Sequence, residues 1–328
     1  MALTLSEIQS LTQDVWLPGA QNNWKMGNIM LYKLLEGAQT APKGEKVRQV
    51  LEYAKSNGGA MGASTIFNTT KKAIFNAARF EWAKFWAGTT YDIDDEVQVS
   101  GGGSEVDIIM GKLDNMQSTI RDIMGDSIWT AYSTALTTYG SETTPFYGIP
   151  DLMSATGSFG GIAYTDLGTF TRLGSSAYIW APYVETGARV MSFDTLQELA
   201  RSTRVGDDNG KETIDLIVTT STLKDAFEAS VQPQQRQYDS DLAKVGFDTI
   251  NFRSNTPVVV DDKCTAASVY GFNTKLIALR PHEDFNFTEP VWKEPTNQYV
   301  KTCQIIWVGA FTTAARRAQG QMSTVTAS

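Results

Sequence analysis

Two carboxylate clusters are the first places where residue type and spacing suggest chemistry. Asp92, Asp94, Asp95 and Glu96 bring hard oxygen ligands close together, a set able to hold a divalent cation. Their spacing is not that of an EF-hand loop. Asp207, Asp208 and Asn209 before Gly210 match half of such a loop, but Val205 stands where the earlier carboxylate belongs. Both clusters therefore read as solvated turns. Gly101–Gly103 precede a helix, where backbone amides can bind a phosphate. Glu105 and Asp107 in the first turn would repel that anion, so the glycines read as a hinge.

Other chemistry is thin. The chain has a single histidine, His282, which follows a proline and reads as an exposed loop residue. Cys264 and Cys303 are far apart and read as buried reduced thiols. No glycine-rich phosphate loop, nucleophile elbow or paired-histidine zinc helix occurs. Arg316-Arg317 is too short a basic run to imply nucleic acid. The sequence thus predicts no enzyme, no catalytic or cofactor-binding residue, no metal and no cofactor. A hydrolase built on carboxylate pairs is the reading from a different class. The lone histidine, and the lack of any carboxylate pair that can be placed at strand ends, stand against it.

The remaining signal is aromatic. Phe67–Gly88 contains Phe75, Phe80, Trp82, Phe85 and Trp86 with little basic surround, so these rings read as packing rather than base stacking. Helical and alternating periods compete in this stretch; the second half reads as strand and the first half is open. A two-stranded hairpin cannot bury such rings by itself, and a monomer rarely exposes so large an apolar patch. These five residues are expected to contact another subunit, most simply a second copy of the chain.

The elements that position them follow the chain. Thr4–Trp16 and Ala20–Glu36 read as helices, separated by Pro18-Gly19. Lys46–Tyr53 reads as a strand, followed by a glycine-rich tip, the aromatic run and an extended Thr89–Ser100. Val106, Ile109, Leu113, Met116, Ile120 and Ile123 then recur at helical spacing, and the stripe continues to Thr138. Ser104 suits its N-cap. A helix over 104–138 would be about 50 Å long at 1.5 Å per residue, a strut. Tyr139–Gly174 reads as loops and short strands. Met191–Arg204 and Thr222–Val231 read as helices, with Asp194/Gln197 and Thr222/Asp225 at capping-box spacing. Asp215–Thr220, Pro257–Val260, Ala267–Phe272 and Lys275–Leu279 read as short strands of a compact α/β unit. Asp284–Trp292 and Gln298–Ala310 read as long strands, the second buried on both faces from Ile305 to Val308. The last residues read as a tail.

Length and charge bound the reading. The chain has 328 residues, is 42% hydrophobic and carries a net charge of −8. That balance argues against a protein that wraps nucleic acid by phosphate neutralisation. No stretch approaches the roughly 20 apolar residues of a membrane span, and the N-terminus lacks the basic and apolar regions of a signal peptide.

The order of parts resembles the Hong Kong 97-type major capsid protein of tailed bacteriophages across essentially the whole chain. KVRQVLEYAKSNGG and TTYDIDDEVQVSGGG are similar to the arms of its extended loop (E-loop). The helix from Ser104 resembles its spine helix. DLIVTTSTLKDAF followed by TPVVVDD is similar to the strand–helix–strand succession of its axial (A) domain. VKTCQIIWVGAFTTAARRAQGQM resembles the closing strand of the peripheral (P) domain and its tail.

The resemblance implies an α+β fold with an N-terminal arm over 1–45 and an E-loop over 46–100. It implies a P-domain over 101–140 and 281–328, and an A-domain over 141–280. It implies a structural protein that self-assembles, through hexamers and pentamers, into an icosahedral phage head enclosing double-stranded DNA. The implied partners are copies of itself, a separate scaffolding protein, a portal, decoration proteins, and packaged DNA contacted non-specifically; no membrane is involved. The implied location is the virion, assembled in the bacterial host cytoplasm. The chain departs from members that carry a long charged N-terminal scaffolding segment. Either a separate scaffolding protein serves, or such a segment has been removed. An encapsulin-like nanocompartment shell is the alternative with the same fold.

Overall fold

The computed structural model describes residues 27–92, 102–205, 213–231, 250–253, 256–296, 298 and 300–327. The expected helix over Thr4–Trp16 and both carboxylate clusters beyond Asp92 lie outside them.

The first described helix, α1 (Ile29–Glu36), is capped by Asn28, whose side chain accepts from the Leu31 amide at 2.8 Å. It buries Met30, Leu31 and Leu34. Strands β1 (Val47–Glu52) and β2 (Phe75–Phe80) pair antiparallel, Val47 opposite Phe80 and Glu52 opposite Phe75. The chain then turns at Glu81-Trp82 into β3 (Ala83–Asp92).

This corrects the expected hairpin. Thr89–Asp92 does not return along the Lys46–Tyr53 strand; it pairs with Val300–Cys303 near the other end of the chain. The redirection is anchored at Trp82, whose indole N–H donates to the Gly44 carbonyl at 2.8 Å.

The strut helix α2 spans Gly102–Trp129, 28 residues, about 42 Å at the standard rise. It starts two residues before the expected Ser104 cap and stops nine short of Thr138. Its inner face buries Met116, Ile120, Met124 and Ile128, at 2% exposure or less. Burial of side chains this size contributes roughly 1.5–3 kcal/mol each. The stripe resumes in α3 (Tyr132–Tyr139), after a break at Ala131 with extended backbone. The break comes from a distant residue. Asp151, on the short α4 (Ile149–Leu152), accepts from the Tyr132 amide at 2.8 Å and the Gly148 amide at 3.0 Å. Its carboxylate supplies the cap that α3 lacks locally.

Next come the hairpin β4 (Thr169–Arg172) and β5 (Ser175–Tyr178), then β6 (Tyr183–Glu185) and β7 (Arg189–Val190). Helix α5 (Phe193–Ser202) is capped by Ser192, whose hydroxyl accepts from the Thr195 amide at 3.3 Å, two residues before the expected Asp194 box. Strand β8 (Leu216–Thr219) and helix α6 (Ser221–Val231) follow. Then come β9 (Ile250–Arg253), β10 (Thr256–Val260), β11 (Val269–Phe272) and β12 (Ile277–Pro281).

The expected strand over Asp284–Trp292 is irregular instead. It runs beside the long β13 (Val300–Thr313), held by the Thr288 amide on the Ile306 carbonyl and the Val308 amide on the Phe285 carbonyl. Strand β13 alternates from Cys303 to Trp307 and is buried at every position only from Gly309 onward; Ile306 is 37% exposed. The last residues are not a tail. A 3-10 turn (Arg316–Ala318) leads to β14 (Gly320–Met322) and β15 (Val325–Thr326).

Two main sheets result. One is antiparallel, in the order β12-β13-β3, against which α2 packs. The other has six strands in the order β6-β14-β11-β8-β10-β9. Strand β8 is buried at every position, as a strand covered on both faces must be. Its Leu216 and Val218 join the core around α2, while Ile217 joins a second core with Leu196, Leu199 and Phe227 from α5 and α6. Gly320 lets α5 approach: a Cβ there would lie 2.5 Å from the Thr203 methyl.

The turn residue Arg316 is fully buried. It donates to the carbonyls of Asp151, Leu152, Ser154, Gly157 and Trp180 at 2.6–3.2 Å. One guanidinium thereby ties the end of β13 to α4 and to the chain entering β6. Burial lowers its pKa to about 10, with Asp151 opposing the shift.

Candidate intersubunit surface

The five aromatic residues fall into two groups, and the pleat decides which. Phe80 is 2% exposed; its ring meets Phe159 edge-on at 5.5 Å. Gly160 makes room for that contact, with φ +61° and a position where a Cβ would lie 3.0 Å from both Ala78 and the Phe80 ring. Phe85 is 5% exposed and packs on Phe146 and Trp307 at 4.9 and 6.0 Å. Trp82 is half-buried, bonded to Gly44 and edge-on to His282 at 5.1 Å. These three serve their own subunit. The expectation that they await a neighbour is corrected for Phe80 and Phe85, whose area is already covered.

Phe75 and Trp86 are the other group, 64% and 66% exposed. On β1–β2, Val47, Leu51, Ala78 and Phe80 lie on the inward face; Val50, Ala77 and Phe75 lie on the outward one. Val50, 64% exposed, is the diagonal neighbour of Phe75 on that face. The hairpin is fixed at its base by the Arg79 amide on the Gly160 carbonyl, Arg280 on the Gln49 side chain and a Lys46–Glu81 ion pair. Beyond it, residues 53–74 have no regular structure and carry exposed Met61, Ile66 and Phe67. Asn57 bridges this segment through its side-chain amide to the Thr70 carbonyl at 2.7 Å.

Sequence reasoning missed Val50, Ile66 and Ile306, and placed Phe67 in the aromatic run without counting it among the five contacts. Ile66-Phe67 stood out as the one bulky apolar pair in a polar, glycine-rich run. Val50 and Ile306 carried no such signal, because their faces depend on which strand they pair with.

Further back, Asp261–Lys263 lock α1 and α2 together. Asp261 accepts from the Met30 amide at 3.0 Å and Asp262 from the Gly27 amide at 2.9 Å. The Lys263 ammonium, 5% exposed, pairs with Asp122 and, at 2.8 Å, with Asp126 on α2. Burial raises the pKa of Asp261. His282 is half-buried, its Nδ1 accepting from the Asp284 amide. Cys264 and Cys303 are buried and unbridged. Among the described residues no group of three or more His, Cys, Asp or Glu is placed to hold a metal, and no helix is long and apolar enough to cross a membrane.

No family model matches the sequence, and no curated protein does. Solved structures match over full length. A chain of the cyanophage A-1(L) capsid is similar at TM-score 0.68 and 12% identity, covering 98% of this chain and 99% of that one. The capsid of a native GTA particle follows at TM-score 0.61 and 10% identity, covering 97% and 96%. The fold is that of tailed-phage major capsid proteins. The capsid-protein fold also extends to the SrpI encapsulin of Synechococcus elongatus PCC 7942, at TM-score 0.62 and 9% identity, covering 100% and 98%. In this capsid-protein fold the β1–β2 hairpin sends Leu51, Ala78 and Phe80 into the core that also holds the long helix α2, and leaves its outer face and loop exposed.

Proposed function

We propose that the chain is the repeating subunit of a closed icosahedral shell, the major capsid protein of a phage head that encloses double-stranded DNA. The observation that carries this reading is the end-to-end likeness to a cyanophage capsid chain, 98% of one against 99% of the other. In this reading, 1–45 is the N-terminal arm, the β1–β2 hairpin with its loop is the E-loop within 46–100, 101–140 and 281–328 with β3 are the P-domain, and 141–280 is the A-domain. Copies of the chain meet in hexamers and pentamers, with Phe75 and Trp86 among the contacts. A scaffolding protein, a portal and decoration proteins complete the assembly in the host cytoplasm. The net charge of −8 favours carboxylates on the DNA-facing side, where they would not hold the genome by counterion release.

The reading has no role for a catalytic centre. An encapsulin-like shell is the second reading, favoured by the full-length likeness to the SrpI encapsulin. Negative-stain microscopy of the expressed protein tests the shell itself: closed particles are expected, and a chain that stays monomeric at every concentration overturns it. Neighbouring genes separate the two shells, terminase and portal genes for a phage head, a cargo enzyme for a nanocompartment.

A further inference from the structure

Arg172 and Arg317 are the cations whose surroundings the fold leaves incomplete. Arg172 ends β4, and Arg317 lies in the turn before β14. Both guanidinium groups sit over the Phe170 ring, at 5.2 and 5.0 Å from its centroid. Arg172 also lies 5.8 Å from the Tyr183 ring on the edge strand β6. Both arginines are half-buried. No carboxylate pairs with either among the described residues. The Arg172 Nη atoms reach the carbonyls of Ala181, Pro182 and Arg317 only at 3.4 Å, near the limit for a hydrogen bond. Its Nε is buried with no acceptor. Burial, followed by the nearby charge of Arg317, lowers the pKa of Arg172; burial alone lowers that of Arg317. Two partly desolvated like charges set against one ring thus have no carboxylate partner among the described residues.

We propose that Arg172 and Arg317 form an oxyanion site at the open edge of the six-stranded sheet that takes a carboxylate side chain from a second copy of this chain. The inference rests on the shell reading. A carboxylate fits better than a phosphate on charge grounds: the chain carries 36 acidic residues against 28 basic ones, so an approaching copy presents acids. Arginine beside aromatic rings is the composition enriched in the centre of protein–protein interfaces. The site is also placed for such a contact. The β4–β5 hairpin turns at Leu173 and Gly174, both at positive φ, and presents Leu173 at 59% exposure beside the arginines. Edge strand β6 next to it has only β14 as a partner. Guanidinium N–H groups can donate to both oxygens of one carboxylate, and the Arg172 Nη atoms, held by bonds of only 3.4 Å at home, are the donors that would do so.

The test compares wild-type protein with Arg172→Gln/Arg317→Gln, and with Arg317→Gln alone should the double variant not fold. Arg317 is the safer site, since its guanidinium makes no hydrogen bond to the chain among the described residues. Three properties are read: the melting temperature of the subunit, the concentration at which closed particles appear, and anisotropy of a short labelled DNA duplex. Expected are a melting temperature within a few degrees of wild type, a roughly 10-fold or greater rise in the assembly concentration, and no change in duplex binding. Arg317→Lys should assemble between wild type and Arg317→Gln. Loss of duplex binding with unchanged assembly overturns the inference in favour of a phosphate ligand. Wild-type particles matched by variant particles overturn it while leaving the shell reading intact. A wild type that forms no particle under any condition overturns the shell reading and this contact with it.

Discussion

Trp86 stands directly across from Ile306 in the pairing of β3 with β13, and both side chains lie on the open face of that sheet, 66% and 37% exposed. The adjacent pair, Phe85 opposite Trp307, points the other way and is 5% and 0% exposed. One residue of register thus separates subunit core from free surface.

The two faces should respond differently to truncation. Trp307→Ala should lower subunit stability by about 3–5 kcal/mol, the cost of a large core cavity. Trp86→Ser should change it by no more than about 0.5 kcal/mol, as exposed substitutions do, yet reduce particle yield. Urea unfolding of both variants, beside particle counts by microscopy, checks this. Equal destabilisation by the two would remove the distinction.

Arg316 should tolerate no substitution. Arg316→Met removes the guanidinium donors of the carbonyls of Asp151, Leu152, Ser154, Gly157 and Trp180, of which the bonds to Leu152 and Trp180 are fully buried. Each buried group left unsatisfied costs about 1–3 kcal/mol, so the loss takes a large share of the stability of a typical domain. Arg316→Lys keeps the charge but has fewer donors than there are carbonyls. The expectation is insoluble Met variant and a Lys variant that folds, if at all, with a sharply lower melting temperature. A Met variant melting like wild type would show that the guanidinium is dispensable.

Cys264 gives a pH dependence with a definite sign. Burial, reinforced by the charge of Asp261, pushes its thiol from 9.0 up to about 12. Between those values the unfolded chain has lost the proton and the folded chain still holds it. The stability linked to Cys264 is therefore complete below pH 9 and is lost as pH rises toward 12. Denaturation midpoints measured from pH 8 to 11 should fall more steeply for wild type than for Cys264→Ala. Parallel curves would mean that the thiol is not protected. At pH 8, alkylation of Cys264 should require unfolding.

How much of this was legible in the sequence follows from where each cause lies. The strand Leu216–Thr219 was legible as a continuous apolar run and the stripe from Met116 to Ile128 as a helical period, because burial leaves a local mark in each. The stop at Trp129 was not, since the sequence continues a helical stripe and the interruption is imposed by Asp151 from α4. The interior placement of β14 was hidden for a similar reason: a polar, arginine-bearing end reads as a tail unless the carbonyl cage around Arg316 is known. The aromatic run showed that much apolar surface needed covering. It did not show that Phe80 and Phe85 are covered at home while Phe75 and Trp86 are not, because that follows from pairing partners far along the chain.

The loop carried by β1 and β2 is the last point of test. Residues 53–74 contribute almost nothing to either core: from Ser56 to Thr70 every residue is exposed, Ile66 at 94% and Phe67 at 68%. The arms are different, since Leu51, Ala78 and Phe80 are buried in the core around α2. Excising Ser56–Lys72 and closing the arms with a short turn should therefore leave a folded, soluble subunit with a melting temperature near that of wild type. Truncating into the arms, at Phe80, should not. Burying rings and chains of this size against a neighbour contributes roughly 2–3 kcal/mol each, and a closed symmetric shell repeats the contact around every axis. The excised subunit should accordingly fail to close into particles while remaining monomeric and intact. An unfolded product would place the loop in the subunit core, against its exposure. Normal particles would show that Ile66 and Phe67 cover nothing in the assembly, and would leave Val50, Phe75 and Trp86 as the contacts to examine.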